Sequence, residues 1–372
     1  MRVVDITQWY SPTSGGIRTY LHAKARWASE RGVVHAAIVP GEHPGEGTVE
    51  KSRFVAVRGR TPSGRWGYRL IARPAGVLAC LEELGPDVVV VHDALAFPHA
   101  VARWARERGV AVALMCHSDL ALAARGLPRG LRAPAGGVLS GLQARALTAP
   151  AGVVMVASGC TGARIAGHSR APVVISPLGV DDAVFRTASA DPALRASLVG
   201  PRECMLLYAG RLSSEKRVDL LAPMLAHLPQ RFVLVMAGAG AAGPRLRAAA
   251  ARLGVADRLR MVGHIGPARA LATLMATADC FVHPNPDEPF GLCPIEARAT
   301  GCPVVVPRGS GAAEVLAGRG AVVVDPADAS ALARGVLHAT GAPPGPADLT
   351  DLSWDATFTR EWALYAGLTP CA

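Results

Sequence analysis

One stretch of the chain decides its fold class and most of its chemistry: Asn285-Pro-Asp-Glu-Pro-Phe-Gly-Leu-Cys-Pro-Ile-Glu-Ala-Arg-Ala-Thr-Gly-Cys-Pro-Val-Val-Val306. Glu288 lies in a Pro- and Gly-rich turn, and Glu296 follows eight residues later, in a helix predicted from about Pro294 to Ala299. Gly291 lets the backbone approach a ligand closely, and the free N–H groups at the helix start favour a diphosphate. The stretch therefore predicts a phosphate site flanked by two carboxylates that accept hydrogen bonds from hydroxyls. The alternative is a capped core helix with two solvated acids.

Strand-like apolar segments alternate with helical segments along the whole chain, which predicts parallel α/β sheets. A length of 372 residues suits two domains. We predict two doubly wound, Rossmann-like domains facing each other across a cleft, residues 1–180 and 181–352, and a last helix within residues 353–372. The segment Gly179–Gly200 has turn composition and is the predicted hinge. The predicted strands are Val3–Ile6, Val34–Val39, Phe54–Val57, Val88–Val91, Ala111–Met115, Val153–Ala157 and Val173–Ser176 in the first half, and Cys204–Tyr208, Phe232–Ala237, Arg260–Val262, Cys280–His283, Pro303–Pro307 and Ala321–Val324 in the second.

Ligands of such sheets bind at the carboxyl ends of the strands, and candidate residues follow several of them. Arg211 and Lys216 come after one strand, five residues apart, and can hold two phosphate groups. The alternative is a solvated helix start in which Glu215 pairs with Lys216. The segment Gly238-Ala-Gly-Ala-Ala-Gly243 imitates a dinucleotide fingerprint. However, Asp257, the acid that would bind the ribose, precedes a strand instead of following one, so we reject a dinucleotide site and interpret Gly238 as a point of close backbone approach.

Residues of the first half are less decisive. Gly15 and Gly16, at the start of a helix, predict either a phosphate-approach loop or a plain turn. His117 ends a predicted strand, where a single histidine is either structural or functional. His92 and Asp93 end the preceding strand, and we interpret that pair as structural, with Asp93 a weak candidate for contact with an acceptor.

These motifs resemble the glycosyltransferases of family 4, which have the GT-B fold. Their signature is Glu, seven residues and Glu, with Phe-Gly after the first acid and Gly-x-Pro-Val after the second. The matching residues are Glu288, Phe290, Gly291, Glu296, Gly301, Pro303 and Val304. The resemblance extends over nearly the whole chain. It implies a retaining hexosyltransferase that uses a UDP- or GDP-sugar and an acceptor hydroxyl, and a last helix, from Trp354, that crosses back to the first domain.

The resemblance also implies roles for individual residues. Glu288 is expected to contact the donor sugar, Glu296 the ribose, and His117 the donor sugar and the reaction centre. Arg211 and Lys216 are expected to stabilise the departing diphosphate, so that neither a metal ion nor a cofactor is required. The predicted catalytic residues are His117, Arg211, Lys216 and Glu288. The predicted donor-binding residues are Gly15, Gly16, Arg211, Lys216, Gly238, His264, Ile265, Glu288, Phe290, Gly291, Leu292 and Glu296.

Two other functions share the same donor site. A GT-B pseudo-glycosyltransferase or sugar-nucleotide epimerase would make a different product, and a non-catalytic sugar-nucleotide binding protein would make none. A periplasmic-type binding protein would need a signal peptide, which the first residues do not resemble. No pair of carboxylates suggests a glycosidase-type mechanism, which agrees with a leaving phosphate that itself takes the acceptor proton.

The positive charge of the chain lies in its first half. Residues 1–180 carry 21 Lys and Arg against 11 Asp and Glu, whereas residues 181–372 carry 18 of each kind. This predicts an anionic partner, namely a phosphate-bearing acceptor or the surface of an anionic membrane. Nucleic acid is not expected, because aromatic residues are few and no binding motif is present. The residues proposed for acceptor or membrane contact are Arg58, Arg60, Arg65, Trp66, Tyr68, Arg69 and Arg73, then Ser118, Arg125, Arg129 and Arg132, with solvated surface arginines as the alternative.

The cysteines and the hydropathy predict the compartment. The eight cysteines form no Cys-x-x-Cys pair and have no histidine at metal-ligand spacing, so they are expected to be reduced. No apolar run reaches the roughly 18 residues of a membrane span. We therefore expect a cytoplasmic protein, with a peripheral location at the inner face of the membrane as an open alternative.

Overall fold

The computed structural model describes residues 1–11, 15–61, 68–117, 120–126, 129–343, 345 and 347–368. Their Cα positions group into two compact units. Unit 1 is built from Met1–Ala121, Pro134–Gly179 and Trp354–Ala372, and unit 2 from Leu122–Ala133 and Val180–Ser353. Each unit contains one sheet and its own hydrophobic core.

Unit 1 contains an eight-stranded sheet in the spatial order β3-β4-β2-β1-β5-β6-β7-β8. Its strands are β1 (Arg2–Ile6), β2 (Val34–Gly41), β3 (Gly45–Val49), β4 (Ser52–Arg58), β5 (Val88–Val91), β6 (Ala111–Cys116), β7 (Val153–Val156) and β8 (Val173–Ile175). Helices α1 (Gly16–Arg31), α2 (Ala75–Leu84), α3 (Pro98–Arg108), α4 (Arg129–Leu147) and α5 (Gly159–Ile165) connect them. Strand β5 consists of four buried valines, as expected for a parallel strand covered on both faces.

Unit 2 contains a six-stranded parallel sheet in the order β11-β10-β9-β12-β13-β14. Its strands are β9 (Cys204–Ala209), β10 (Phe232–Ala237), β11 (Leu259–Gly263), β12 (Cys280–Val282), β13 (Val304–Pro307) and β14 (Ala321–Val324). Its helices are α6 (Asp182–Phe185), α7 (Pro192–Leu198), α8 (Leu221–Ala226), α9 (Gly243–Arg252), α10 (Ala268–Thr277), α11 (Leu292–Ala299), α12 (Gly311–Val315) and α13 (Ala329–Gly341). Strands β10 and β12 are buried along their whole length.

The final helix, α14 (Trp354–Ala366), belongs to unit 1 and packs against α1. The Tyr20 hydroxyl on α1 donates a 2.5 Å hydrogen bond to Glu361 Oε2 on α14. Phe358 has no exposed surface, and its ring centroid lies 5.3 Å from that of Tyr20. The last turns of the chain therefore complete the core of unit 1.

The structure confirms two doubly wound parallel sheets and every strand that the sequence predicts. One strand was not predicted: β3, Gly45-Glu-Gly-Thr-Val49, has no apolar pattern because its residues are exposed or half-buried. It pairs antiparallel with β4 at the edge of the sheet. The segment Gly179–Gly200 is not only a turn, since it contains α6 and α7. Asp191 caps α7 by accepting hydrogen bonds from the N–H groups of Ala193 and Leu194.

Candidate active site

The predicted donor-binding residues of unit 2 follow strands that are neighbours in its sheet. Strand β9 lies between β10 and β12, and all three run parallel. Arg211 follows β9, Gly238 follows β10, and the loop that contains Glu288 follows β12. Because the carboxyl ends of parallel strands meet at one edge of a sheet, these residues are gathered at that edge.

Glycines allow the loops after β9 and β10 to touch. A Cβ at Gly238 would lie 1.9 Å from the carbonyl oxygen of Gly210, and a Cβ at Gly240 would lie 2.4 Å from that of Leu212. The Gly210 N–H also donates a 2.9 Å hydrogen bond to the carbonyl of Ala237. Packing within unit 2 is therefore sufficient to require glycine at position 238, before any ligand is considered.

The centre of the site is an ion pair between Lys216 and Glu288. Lys216 ends a short 3-10 turn, and its Nζ donates to Glu288 Oε1 at 2.9 Å and to Oε2 at 2.8 Å. The two side chains are 23% and 11% exposed. The structure thus brings a predicted phosphate-binding cation and a predicted sugar-binding carboxylate into direct contact, although 72 residues separate them in sequence.

Two polar side chains that the sequence analysis did not single out also approach the Glu288 carboxylate. Asn285 Nδ2 donates a 3.3 Å hydrogen bond to Oε2, and His283 Nε2 lies 3.3 Å from the same oxygen. Within the described residues, neither ring nitrogen of the buried His283 has a hydrogen bond of good geometry, so its contact with Glu288 is electrostatic. Both residues follow the end of β12 closely, and this position in the sequence is the feature from which they could have been predicted.

The charge of Glu288 follows from these neighbours. Burial alone would raise the pKa of Glu288, but the Lys216 ammonium and, to a smaller extent, His283 outweigh it and hold that pKa well below its ordinary value. Glu288 is therefore ionised at neutral pH. It can accept hydrogen bonds but cannot donate one.

Glu296 has the opposite electrostatics. It lies on α11, whose N-cap is Gly291 in the left-handed conformation at φ 91°. The residue is 8% exposed. Burial raises the pKa of Glu296 to about 7, the Cys293 thiol opposes the rise, and the Asp181 carboxylate adds to it. Glu296 therefore changes charge close to neutral pH, which the sequence could not reveal.

The loop that carries Glu288 is fixed by tight backbone packing. The Gly311 N–H donates a 2.7 Å hydrogen bond to the carbonyl of Glu288. A Cβ at Gly311 would lie 2.2 Å from the carbonyl oxygen of Pro289. Phe290 is 3% exposed and anchors the loop in the core, and Leu292 begins α11 directly after it. Phe290 and Gly311 thus hold the loop in place.

The other predicted residues of unit 2 are less buried. Arg211 is 54% exposed and its Nη2 pairs with Glu215 Oε1 at 2.7 Å, so it does not take part in the Lys216–Glu288 pair. The Tyr208 hydroxyl donates to the carbonyl of Arg211 at 2.9 Å. His264, directly after the edge strand β11, is exposed, and Ile265 is half-buried.

In unit 1, Gly15 is the N-cap of α1 and Gly16 its first residue. Among the described residues, no atom lies within 4 Å of a Cβ built at Gly15. His117 directly follows β6 and is half-buried. Its Nε2 lies 2.8 Å from Nδ1 of His92, and the two rings stack with centroids 5.1 Å apart. His92, which the sequence predicts to be structural, thus lies against the predicted catalytic histidine.

Asp93 stabilises the loop after β5. Its Oδ2 accepts hydrogen bonds from the backbone N–H of Gln8 at 3.1 Å and from the Thr7 hydroxyl at 3.3 Å. Its Oδ1 accepts a hydrogen bond of 2.8 Å from the Leu95 N–H. These contacts give Asp93 a structural role in joining β1 to that loop.

Only part of the predicted acceptor surface can be described. Ser118, Arg65 and Trp66 lie outside the described residues, as do the side chains of Arg125 and Arg129. Among the others, Arg69 Nη2 pairs with Glu42 at 2.8 Å, and the Tyr68 ring packs edge-on against Trp9 with centroids 5.6 Å apart. Arg58, Arg60 and Arg73 are exposed. None of the helices described has both the length and the apolar character that crossing a membrane demands.

Comparison with known proteins finds a matching family model for each half of the chain. A family model described as Glycosyl transferases group 1 matches residues 193–347, and one described as Glycosyltransferase Family 4 matches residues 14–184. A GDP-mannose-dependent alpha-(1-6)-phosphatidylinositol dimannoside mannosyltransferase from Mycobacterium tuberculosis is 32% identical over 324 residues, or 85% of this chain and 82% of that protein. A D-inositol 3-phosphate glycosyltransferase 2 from Catenulispora acidiphila is 37% identical over 177 residues, or 43% of this chain and 41% of that protein.

Solved structures share the fold at lower identity. Sucrose-phosphate synthase from Thermosynechococcus elongatus superimposes with a TM-score of 0.80 at 20% identity, covering 98% of each chain. HepE from Anabaena, in complex with UDP and glucose, superimposes with a TM-score of 0.70 at 19% identity, covering 97% of this chain and 95% of that one.

Proposed function

We propose, from the premise that this chain belongs to glycosyltransferase family 4, that it transfers a hexosyl group with retention of anomeric configuration and without a bound metal ion. Membership makes the chain a glycosyltransferase that uses a nucleotide sugar, and the proposal concerns how it does so. The observation that carries it is the Lys216–Glu288 pair at the strand ends, next to the N-terminus of α11, with Glu296 on that helix. A nucleotide sugar needs a cation and helix N–H groups for its phosphates, and carboxylates for its hydroxyls.

Lys216 is proposed to change partners when the donor binds. In the structure its ammonium is shared by both oxygens of the ionised Glu288 carboxylate. The diphosphate competes for this ammonium, and the carboxylate so released accepts hydrogen bonds from hydroxyls of the donor sugar. Arg211 supplies a second cation, because surface pairs such as Arg211–Glu215 are worth only about 0–1 kcal/mol and are readily exchanged.

Stabilisation of charge is the proposed source of catalysis. As the bond between sugar and phosphate breaks, negative charge builds up on the diphosphate, where Lys216, Arg211 and the N–H groups of α11 oppose it. Retention results when the acceptor hydroxyl attacks from the face that the diphosphate leaves and gives its proton to a diphosphate oxygen. Since the protein supplies the positive charge, this arrangement does not call for a metal ion.

The relatives suggest which substrates to test first. The name of the Mycobacterium tuberculosis relative specifies GDP-mannose and a phosphatidylinositol dimannoside, and that of the Catenulispora acidiphila relative specifies D-inositol 3-phosphate. Both acceptors carry phosphate, and the positive charge of this chain is concentrated in residues 1–180. We therefore propose GDP-mannose as the first donor to test and an inositol-containing phosphate or phospholipid as the acceptor.

A lipid acceptor implies contact with a membrane surface, and α4 is the candidate element. Its residues Leu131, Val138 and Leu142 are 55%, 65% and 44% exposed. Their spacings of seven and four residues place them along one face of the helix. Arg145, on the same helix, is exposed beside that stripe.

Vesicle sedimentation tests the membrane proposal. Wild-type protein should sediment with anionic vesicles more than with neutral ones, and replacing the three apolar residues of α4 by Glu should abolish the difference. Leu337→Glu, at another exposed leucine, is the matched control. Equal sedimentation of wild type and triple variant would refute the assignment to α4.

The function itself is tested by product analysis. The chain is incubated with UDP-, GDP- and ADP-sugars, each with inositol phosphate, phosphatidylinositol or a neutral sugar, and products are identified by mass and by NMR. Glycosylated acceptor, lost in Lys216→Ala, is the expected result. A sugar nucleotide of unchanged mass but altered configuration would indicate an epimerase, and donor binding without any product would indicate a silent binding protein. Either outcome would overturn the proposal.

A further inference from the structure

A cluster of ionisable side chains lies buried in the core of unit 1. Asp5 on β1, Lys24 on α1 and His92 after β5 are all 0% exposed. Lys24 Nζ donates to Asp5 Oδ1 at 2.9 Å, which offsets the charge of the carboxylate. Burial of such groups is costly unless each has a partner. The titratable groups that face one another in this cluster are Asp5, Tyr20, Lys24, His35, His92, Asp93, His117, Glu361 and Tyr365.

Besides the contact of Asp5 with His35, which joins β1 to β2, the cluster has two branches. Lys24, Tyr20 and Tyr365 surround Glu361 and join α1 to α14, which explains that branch as packing. The other branch runs from Asp5 through His92 to His117, the half-buried residue at the end of β6. Packing does not explain this second branch, because it leads from the core to the residue proposed to act on the substrate.

Asp5 determines which nitrogen of His92 carries a proton. Burial alone would raise the pKa of Asp5, but the Lys24 ammonium and the hydrogen bonds from His35 and His92 outweigh it and hold that pKa well below its ordinary value. The ionised carboxylate can only accept hydrogen bonds. His92 Nε2 lies 2.5 Å from Asp5 Oδ1, so it must carry the hydrogen. In the neutral ring, Nδ1 of His92 is then without a proton.

His92 in turn determines which nitrogen of His117 carries a proton. Its bare Nδ1 lies 2.8 Å from Nε2 of His117 and needs a donor there, so Nε2 of His117 carries the hydrogen. Burial lowers the pKa of His117 well below its ordinary value, so that ring holds a single proton. Its Nδ1 is consequently bare, and within the described part of the chain no hydrogen bond reaches that nitrogen.

We propose that Asp5 and His92 are positioning residues that fix the proton of His117 on Nε2 and thereby present its Nδ1 as a hydrogen-bond acceptor to a substrate hydroxyl. A hydroxyl that donates to Nδ1 keeps its oxygen lone pairs free, whereas one that accepts from an N–H has a lone pair occupied. The direction of this hydrogen bond therefore matters for an attacking hydroxyl. The inference rests on the proposed transferase function and on the role at the reaction centre that the family resemblance implies for His117.

The tautomer can be read directly from the full chain. Protein labelled with ¹⁵N-histidine gives long-range ¹H–¹⁵N spectra in which each ring shows which nitrogen is protonated, and His117 is assigned by the signals lost in His117→Gln. The expected result is a protonated Nε2 and a bare Nδ1. A His117 ring protonated on Nδ1, or on both nitrogens, would overturn the proposal regardless of activity.

Two substitutions separate positioning from packing. His92→Phe keeps a stacked ring but removes the acceptor, so kcat should fall by about 10–100-fold while the KM for the donor changes little. His92→Asn places an amide oxygen where Nδ1 lies, so it should recover a large part of kcat. His168→Gln, at an exposed histidine of unit 1, is the matched control. Equal loss in the Phe and Asn variants, or full activity of His92→Phe, would contradict the proposal.

The failure of this inference is distinguishable from the failure of the proposed function. If His117→Gln retains full activity, the catalytic role of His117 is wrong, and the spectrum still decides the tautomer. If His117→Gln is inactive but the spectrum shows a protonated Nδ1, His117 acts and the positioning argument is wrong. Should His92→Phe fail to fold, as judged by thermal unfolding, the wild-type spectrum and His92→Asn remain decisive.

Discussion

Replacing Glu296 by Gln should stabilise unit 2 and at the same time weaken its binding of nucleotide sugars. Burial raises the pKa of Glu296 to about 7 from an ordinary value of 4.5. The folded state therefore binds this proton more tightly than the unfolded state between those two pH values. Ionisation of Glu296 costs folding free energy that grows as the pH rises from 4.5 to 7, and a neutral Gln avoids that cost.

The size of the effect follows from the shift. A rise of the Glu296 pKa from 4.5 to about 7 corresponds to a loss of about 3 kcal/mol in the free energy of unfolding once the pH lies above the folded-state pKa. At pH 8 the Gln variant should accordingly gain about 3 kcal/mol in the free energy of unfolding. At pH 5 the gain should shrink to about 1 kcal/mol, because the Glu296 carboxyl is then protonated in the folded state and no charge is buried. Urea unfolding, followed by circular dichroism at both pH values, measures the difference.

Glu288→Gln is the matched control, and it should change stability in the opposite direction. Its carboxylate is ionised and paired with Lys216, so neutralising it leaves the ammonium without its counter-charge and should cost at least about 1 kcal/mol at pH 8. The contribution of Glu288 is present above its unfolded pKa and is lost as the pH falls through its lowered folded pKa. A Glu296→Gln variant no more stable than wild type at pH 8, or a gain equal at both pH values, would refute this reasoning.

Three further perturbations follow from the same geometry. Affinity for a nucleotide sugar, whose esterified phosphates do not titrate near neutrality, should rise about tenfold in calorimetry from pH 6 to pH 8 as Glu296 ionises, and Glu296→Gln should flatten this dependence. Lys216→Ala should lower kcat/KM by about 10²–10³-fold. The control is Arg252→Ala, which removes an exposed cation on α9 and should leave kcat/KM near the wild-type value. A fully active Lys216→Ala variant would contradict the role of Lys216 in binding the diphosphate. Gly238→Ala should lower the free energy of unfolding by at least about 2 kcal/mol, because its Cβ would lie 1.9 Å from the Gly210 oxygen. Gly341→Ala, whose Cβ would have no atom of the described residues within 4 Å, should be neutral in the same unfolding assay.

The fold was predictable because parallel strands leave a strong hydrophobic pattern. Segments such as Val88–Val91 and Phe232–Ala237 are buried on both faces and read as continuous apolar runs. Edge strand β3 has no such pattern, because its pairing depends on β4 and not on its own side chains. Tertiary context therefore decides the one strand that sequence periodicity does not show.

From the sequence, the location of the site residues at the strand ends could be predicted, but their contacts with one another could not. That Arg211, Lys216 and Glu288 follow neighbouring strands can be anticipated from strand order, but which of them touch cannot. The structure pairs Lys216 with Glu288 and Arg211 with Glu215. The charge state of Glu296 depends on burial, and the link between His92 and His117 depends on two side chains from adjacent strand ends. Neither property is present in the local sequence.

We propose transfer with retention, in which Lys216 and Arg211 stabilise the departing diphosphate without a metal ion. One NMR measurement of the product tests this proposal. The chain is treated with a chelator and incubated with an α-linked nucleotide sugar, beginning with GDP-mannose, and a phosphate-bearing acceptor. We expect an α-linked product with equimolar release of nucleoside diphosphate, and loss of both in Lys216→Ala. A β-linked product, or transfer that stops when the chelator is added and resumes with a divalent cation, would contradict it.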